Sequence, residues 1–361
     1  MNRLPAWAEI GVLPVINLAL ALAVSGLVIW AVGENPFDAM LVMVRGAFGS
    51  DYAIGYTLYY ATNFIFTGLA VSVAFHAMLF NIGGEGQAAL GGLGVALACL
   101  AFDSVLPAVL MIPVAILFSA GFGAGWALIP GYLQAYRGSH IVITTIMFNF
   151  IAAGLLVPLL GGPLKREGQS SPQTREFAED AWLPKAHEIL DGVGIGMAKT
   201  PLNLAFVVAI LACLFVWVLI WRTKFGYALR AMGHSEHAAE YAGVKVRRMT
   251  VIAMSISGAL AGMMALNEIM GVQHKLVLNF TSGYGFTGIA VALMGRNHPV
   301  GIILASVLFG ALFQGGSELD FEFTTITREM VLVIQGLIIL FSGALALMLV
   351  PAMRRLVMRN G

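Results

Sequence analysis

Few side chains in this sequence could do chemistry, and those that could are grouped. Asn81, Glu85 and Gln87 lie in Phe80-Asn81-Ile82-Gly83-Gly84-Glu85-Gly86-Gln87, one carboxylate and two amides among three glycines, between two apolar runs. Glycine permits non-helical backbone and close approach of helices. Such backbone is tolerated at membrane depth only where protein or a water-filled cavity covers it. The stretch therefore reads in two compatible ways. It is a broken helix lining a permeation path, with Glu85 placing or gating it, or a tight turn between spans in which Glu85 caps a helix N-terminus.

A second group runs from Ser282 to Pro299. Glycines open a short apolar helix, and Asn297-His298-Pro299 breaks it. A short, interrupted apolar segment is a sequence-level pointer to a transport site. Its Phe286 and Thr287 join the candidate path residues, while Gly288, Ala292 and Gly295 would let another helix approach closely. The other reading is an ordinary helical hairpin. His298 reads as a turn residue rather than a ligand.

Polar residues inside apolar runs are costly and usually functional. Thr144, Thr145 and Asn149 occupy one run, with Thr145 and Asn149 at i, i+4. His76, Glu268, Asn63 and Gln335 are further isolated cases, with Glu268 expected near the outer end of its run. No series of carboxylates or histidines suggests a proton relay. Amides and hydroxyls beside Tyr59, Tyr60, Phe148 and Phe286 suit a neutral, partly flat, hydrogen-bonding solute, or simply interhelical hydrogen bonds. The candidate path residues are thus Asn81, Glu85, Gln87, Thr145, Asn149, Phe286 and Thr287. No Walker loop, HExxH or GxSxG in context is present, so an ATP-driven role needs a separate subunit.

The segment Gly226 to Val246 differs in kind. Ser235 can cap a short helix over Glu236 to Tyr241, and Gly243 can end it. Ala238, Ala239 and Ala242 give its exposed faces small residues suited to a groove of another protein. It also reads as a solvated basic loop that only sets topology. His234 and His237 lack a third metal ligand.

These groups must be positioned by membrane helices. Of 361 residues, 59% are hydrophobic and only 11% charged, against roughly 25% charged in soluble domains. Mean hydropathy is +0.87. Such a chain cannot cover a soluble surface, so disordered, fibrous and disulfide-framed secreted classes fall away with the soluble ones. Net charge is +1, which offers nothing to nucleic acid. Cys99 and Cys213 lie in apolar runs and read as small core hydrophobes.

The fold expected is all-α and polytopic, one transmembrane domain over 1–361 with about ten segments, some short or broken. They fall near 11–32, 56–80, 86–102, 104–130, 140–160, 202–222, 249–271, 284–295, 299–315 and 327–351. The first reads as an uncleaved span, since many equal runs follow. Arg222, Lys224, Arg230, Lys245, Arg247 and Arg248 place 223–248 in the cytoplasm, with Arg354, Arg355 and Arg359 of the tail. The mixed-charge loop 161–200 is then extracytoplasmic, and both termini are cytoplasmic. No close internal repeat is evident.

Four stretches carry a family resemblance. They are Tyr56 to Thr62 with Gly68 to Val71; Phe80 to Gln87; Ala238 to Gly243 with Ser257-Gly258-Ala259-Leu260-Ala261-Gly262; and Gly285 to Gly301. From about residue 45 to 350 the chain resembles permease subunits of ABC importers serving ribose-type sugars, branched-chain amino acids and nucleosides. Within that group it is similar to nucleoside permeases of the simple-sugar class that work with binding lipoproteins. Gly84 stands where the family has alanine, and Thr287 where aspartate is common, so no carboxylate role passes to position 287.

The resemblance implies two permease subunits forming the path, a heterodimer in preference to a homodimer, within a bacterial or archaeal plasma membrane. Cytoplasmic ATPases would hold the ATP and Mg, with no cofactor in this chain, and an extracytoplasmic binding protein would deliver solute. Ser235, Glu236, Ala238, Ala239 and Gly243 fall in the family's ATPase-coupling helix. The solute implied is a nucleoside. The alternatives are a simple sugar such as ribose, or, in a different class, an ion-coupled secondary transporter.

Overall fold

A computed structural model describes residues 12–340 of the chain. They are helical throughout apart from connections and two isolated β-bridges, Gln173–Val277 and Lys185–Asn203. In chain order the helices are α1 (Leu13–Ala31), α2 (Pro36–Phe48), α3 (Asp51–Phe75), α4 (Gly84–Phe102), α5 (Ala108–Arg137) and α6 (Ile141–Gly161). There follow α7 (Ala186–Asp191), α8 (Ala205–Arg222), α9 (Lys224–His234), α10 (Glu236–Tyr241) and α11 (Val246–Ala265), which continues as a π-helix over Leu266–Gln273. Last come α12 (Tyr284–Met294), α13 (Pro299–Glu322) and α14 (Arg328–Ile339).

Seven of these runs are long and apolar enough to cross a bilayer, and eight if α1 and α2, bent by 119° at their break, count as one span. The chain is an all-α polytopic membrane protein. The expected segment at 284–295 is the short helix α12, only 11 residues long. Helix α2 corresponds to no segment read from the sequence. Asp38 in its first turn and Arg45 in its last lower its apolarity, while Asn35 caps it by accepting from Phe37 N at 3.0 Å. Arg3, Arg354, Arg355 and Arg359, and residues 341–351 of the run beginning at 327, lie outside the described residues.

The chain divides into two compact units. The first comprises residues up to Thr57 and from Gly310 onward. Its core gathers Ile29, Ala39, Met43, Leu312, Leu319 and Ile334. Thr57 Oγ1 donates to the Ala47 carbonyl at 2.9 Å.

The second unit, Leu58–Phe309, centres on α4, α5 and α11. Without water to expel, membrane helices associate by close packing of small residues. The Ser257–Gly262 stretch supplies them. A Cβ on Gly258 would stand 2.3 Å from the Gly123 carbonyl oxygen, and one on Gly262 would stand 2.4 Å from that of Ser119. Gly91 of α4 approaches Gly262 from the other side, where a Cβ on Gly91 would stand 2.3 Å from the Gly262 Cα. The outward faces of α6 and α8, with Ile143, Phe150, Val207 and Leu214, stay apolar and exposed, as lipid contact requires.

The loop 161–200 is tied down at several points. Arg175 makes a bidentate pair with Asp103 at the end of α4, at 2.7 and 2.8 Å. Hydrogen bonding from the guanidinium, helped by Ala178 N, holds the Asp103 carboxyl below the usual carboxylate range. Trp182 stacks on His274 with ring centroids 3.9 Å apart.

Gly262→Ala should push α5 from α11 and destabilise the protein by about 1–3 kcal/mol. Thermal unfolding in detergent, followed by tryptophan fluorescence, should show a lowered Tm. Gly125→Ala, whose added methyl meets nothing within 4 Å, should leave it unchanged or raised.

Candidate functional site

Helix α12 packs along α3 in the same direction. Tyr284 meets Phe64, Gly288 meets Thr67, Val291 meets Gly68, and the Asn297 carbonyl accepts from Ser72 Oγ at 2.8 Å. The start of α12 is therefore level with the middle of α3. Eleven residues of helix separate Phe64 from Phe75, about 16 Å at 1.5 Å per residue. After α3 ends, a turn at residues 76–78 and a non-helical run over 79–82 lead back to α4. Helix α4 also begins beside the start of α12, since a Cβ on Gly285 would lie 2.2 Å from Glu85 N. Two helices thus begin inside the span of α3, and the broken-helix reading of Phe80–Gln87 describes this geometry.

Non-helical backbone at that depth must find its hydrogen bonds in protein. The predicted polar residues supply them. Glu85 accepts from Gly283 N with one oxygen at 2.9 Å and from Gly285 N with the other at 2.8 Å. Its capping role is real, but the helix capped is α12 rather than its own. Asn149 accepts from Gly86 N and donates to the Ile82 carbonyl, both at 2.9 Å. Thr145 Oγ1 accepts from Ile82 N at 3.3 Å and donates to the Ile141 carbonyl. Asn81 and Gln87 pair amide to amide at 2.9 and 3.0 Å, and Asn81 also donates to Ser257 Oγ and accepts from Gly83 N.

Five of the seven candidate path residues therefore meet at one junction. Phe286 and Thr287 do not share its hydrogen bonds. Phe286 is 47% exposed, and Thr287 turns its hydroxyl back to the Gly283 carbonyl at 3.3 Å. Beside the junction is a cavity of about 300 Å³ lined by Glu85, Asn149, Val157, Asn279, Phe280 and Thr281 among others. Asn81, Gln87 and Thr145 stand behind its wall.

Sequence reasoning missed a second polar centre. Glu268, expected near a helix end, is 4% exposed within the π-helical segment. One of its oxygens accepts from Tyr59 OH and from Asn63 Nδ2, each at 2.6 Å. Asn63 Oδ1 accepts from Asn267, and Asn267 Oδ1 accepts from Asn203, both at 2.8 Å. Asn203 in turn accepts from Ala205 N at 2.9 Å. The amides form one directed chain, each accepting from the last and donating to the next. The signal available was the cost of Glu268 in an apolar run.

The segment after α8 folds as its sequence predicts. Ser235 Oγ accepts from Ala238 N at 3.3 Å over α10, and Gly243, at φ +86°, ends it. Glu236, Ala238 and Glu240 are exposed, and Tyr241 is 97% exposed. Ala239 is the exception to the small exposed face: it is buried at 3%, anchoring the helix inward. Among the described residues no group of three or more histidines, cysteines or carboxylates could hold a metal.

Two helix starts thus meet at a half-buried polar junction beside a cavity, in a polytopic helical protein with a capped surface helix. The chain belongs to the family described as "Branched-chain amino acid transport system / permease component", whose model matches residues 53–343. It is 36% identical over 331 residues to the guanosine ABC transporter permease protein of Bacillus subtilis, covering 91% of each chain. It is 34% identical over 340 residues to the glucose ABC transporter permease protein of Haloferax volcanii, covering 94% of this chain and 88% of that one. Identity to the nucleoside ABC transporter permease protein of Lactococcus lactis is 31%, over 91% of this chain and 89% of that one. This protein is thus a multi-pass permease subunit of an ABC importer, with a transport role and the partners of an ABC system. Membership in this family sets aside the ion-coupled secondary transporter.

Glu85→Ala should leave two N–H donors at the start of α12 without an acceptor, at about 1–3 kcal/mol for each that stays buried. The expected result is a lowered Tm in detergent, with Glu85→Gln, which keeps one acceptor oxygen, in between.

Proposed function

We propose that this permease imports nucleosides, delivered by an extracytoplasmic binding protein and driven by cytoplasmic ATPases. The observation that carries the proposal is similarity above 30% identity, over nine-tenths of the chain, to permeases named for guanosine and for nucleosides. The cavity at the junction supports it. Its volume is at the lower end of ligand sites, ~300–1,000 Å³, and its walls mix apolar side chains with Asn149, Asn279 and Thr281. A neutral, partly flat solute fits that surface better than an ion. A simple sugar such as ribose is the second reading, favoured by the similarity to a glucose permease.

In this reading residues 1–361 form one transmembrane domain of about ten crossings with both termini cytoplasmic. The loop 161–200 faces the binding protein, and 223–248 faces the ATPase. A second, different permease subunit completes the path, with a homodimer as the alternative. Glu85 and Asn149 border the path, Asn81, Gln87 and Thr145 hold its wall, and Phe286 and Thr287 belong to its continuation along α12. The solute should bind the path weakly, since capture belongs to the binding protein. The ATPase engages α10 through Ser235, Glu236, Ala238 and Gly243, with Ala239 seating the helix.

Thermal-shift screening of the cognate binding protein against nucleosides, pentoses and branched-chain amino acids tests the solute. Stabilisation by nucleosides is expected, and tight binding of only an amino acid or only a sugar would overturn the assignment. The coupling role is tested by co-purification with the ATPase. Glu236→Lys and Gly243→Trp should lose the ATPase and transport, and normal assembly and uptake in both would refute it.

A further inference from the structure

Helix α10 can act on the path only through what it rests upon. Helix α9, immediately before it, is bound tightly at both ends. At its start, Thr223 accepts from Gly226 N at 3.0 Å and donates to the Leu219 carbonyl at 2.5 Å, while a Cβ on Gly226 would stand 2.2 Å from that same carbonyl oxygen. The corner between α8 and α9 therefore cannot open without breaking packing. At its far end, Gly233 lies on the turn after α3, where a Cβ would meet the His76 carbonyl oxygen at 2.2 Å. Leu229 and Met232 are fully buried between these points.

Trp221, at the end of α8, sits in the same place. Its indole packs edge-on against the His76 ring at 5.2 Å and against the His298 ring at 4.9 Å. His76 opens the turn that leads to α4. His298 closes the turn that ends α12, where Arg296 and Asn297 hold left-handed backbone at φ +54° and +55°. The same two turns are joined by Ser72, whose carbonyl contacts His76 Nδ1 at 2.8 Å and whose hydroxyl donates to the Asn297 carbonyl at 2.8 Å. One indole thus touches both turns bordering the helices that start at the Glu85 junction.

We propose that the His76–Trp221–His298 ring cluster is the joint that passes movement of the coupling segment to α4 and α12. This rests on the reading of α10 as the ATPase contact. A displacement of α10 carries α9 with it, and the rigid α8–α9 corner turns that displacement into a shift of Trp221 between the two imidazoles. Both turns then move together, and with them the two halves of the junction. Trp221 is in this sense a positioning residue that touches neither solute nor nucleotide.

The test uses the complete transporter, with its ATPases, second permease and binding protein, in proteoliposomes. Trp221→Ala should keep the ATPase bound and hydrolysing but lower solute imported per ATP by at least roughly fivefold. Trp221→Phe, which retains an aromatic ring, should restore most of that ratio. His298→Leu, which removes one of the two imidazoles, should show the same loss in milder form and serves where Trp221→Ala fails to fold. Wild-type import per ATP in Trp221→Ala or, where that variant does not fold, in His298→Leu overturns the joint. So does an equal loss of hydrolysis and import, which marks a merely structural role. Normal assembly and uptake in Glu236→Lys and Gly243→Trp would instead remove the coupling reading on which it stands.

Discussion

One carboxylate holds the permease interior together. Helices α4 and α12 begin side by side, so the open N–H groups and positive dipole ends of two helices converge at a half-buried junction, where protein groups take up much of the hydrogen bonding. Glu85 stands in the first turn of α4 and spends both oxygens on the first turn of α12. It therefore lies within reach of both dipole ends, each worth typically 0.3–1 kcal/mol to an anion at an exposed site and more when partly buried. The absence of side chains at Gly84 and Gly285 is part of the same arrangement, because only backbone can approach backbone this closely. Asn149, Thr145 and Asn81 then deal with the groups that remain: the Gly86 amide, the amide and carbonyl of Ile82, and the Gly83 amide.

What was legible in the sequence was what is local. Ser235 and Gly243 bracket a helix because capping needs only residues within one turn of each other, and α10 has the bounds they imply. The glycine-rich stretch at 80–87 and the Asn-His-Pro stop at 297–299 likewise carry their own conformation. Gly258 and Gly262 stand one helical turn apart on α11, but nothing local says that α5 would pack against them on one side and α4 on the other. Helix α2 was hidden because apolar content was the signal used, and a helix with its own cap, an acidic start and a basic end does not need to be uniformly apolar.

The Glu268 centre was illegible for a different reason. Its members come from α3, from the residues before α8 and from the π-helical segment, so no spacing along the chain unites them. A π-helix also changes which neighbours share a face. Asn267 and Glu268 are adjacent in sequence, yet both are buried in one network. Composition could report that a carboxylate lay in an apolar run, but not that five groups would satisfy each other around it. Satisfied networks of this kind specify a unique packing, whereas partly satisfied ones are costly.

These two centres alter how the scarcity of charge is understood. Polar residues in the spans of an importer could be expected to serve the solute. Here the amides at the junction and around Glu268 are occupied by the protein itself, and Glu85 braces the start of α12 through its backbone. If the junction borders the path as proposed, polar groups that are already paired leave a passing solute little beyond shape and a few side chains such as Asn279 and Thr281. In the proposed reading, weak binding along the way is a consequence of stability rather than a separate adaptation. On that reading recognition is strongest elsewhere, and direction comes from outside the path. A ligand shifts a two-state element only by its differential affinity for the two states. A weakly held solute supplies little of that difference, so partners acting on the surfaces of the permease must supply most of it, and helices braced at a common junction are suited to respond together.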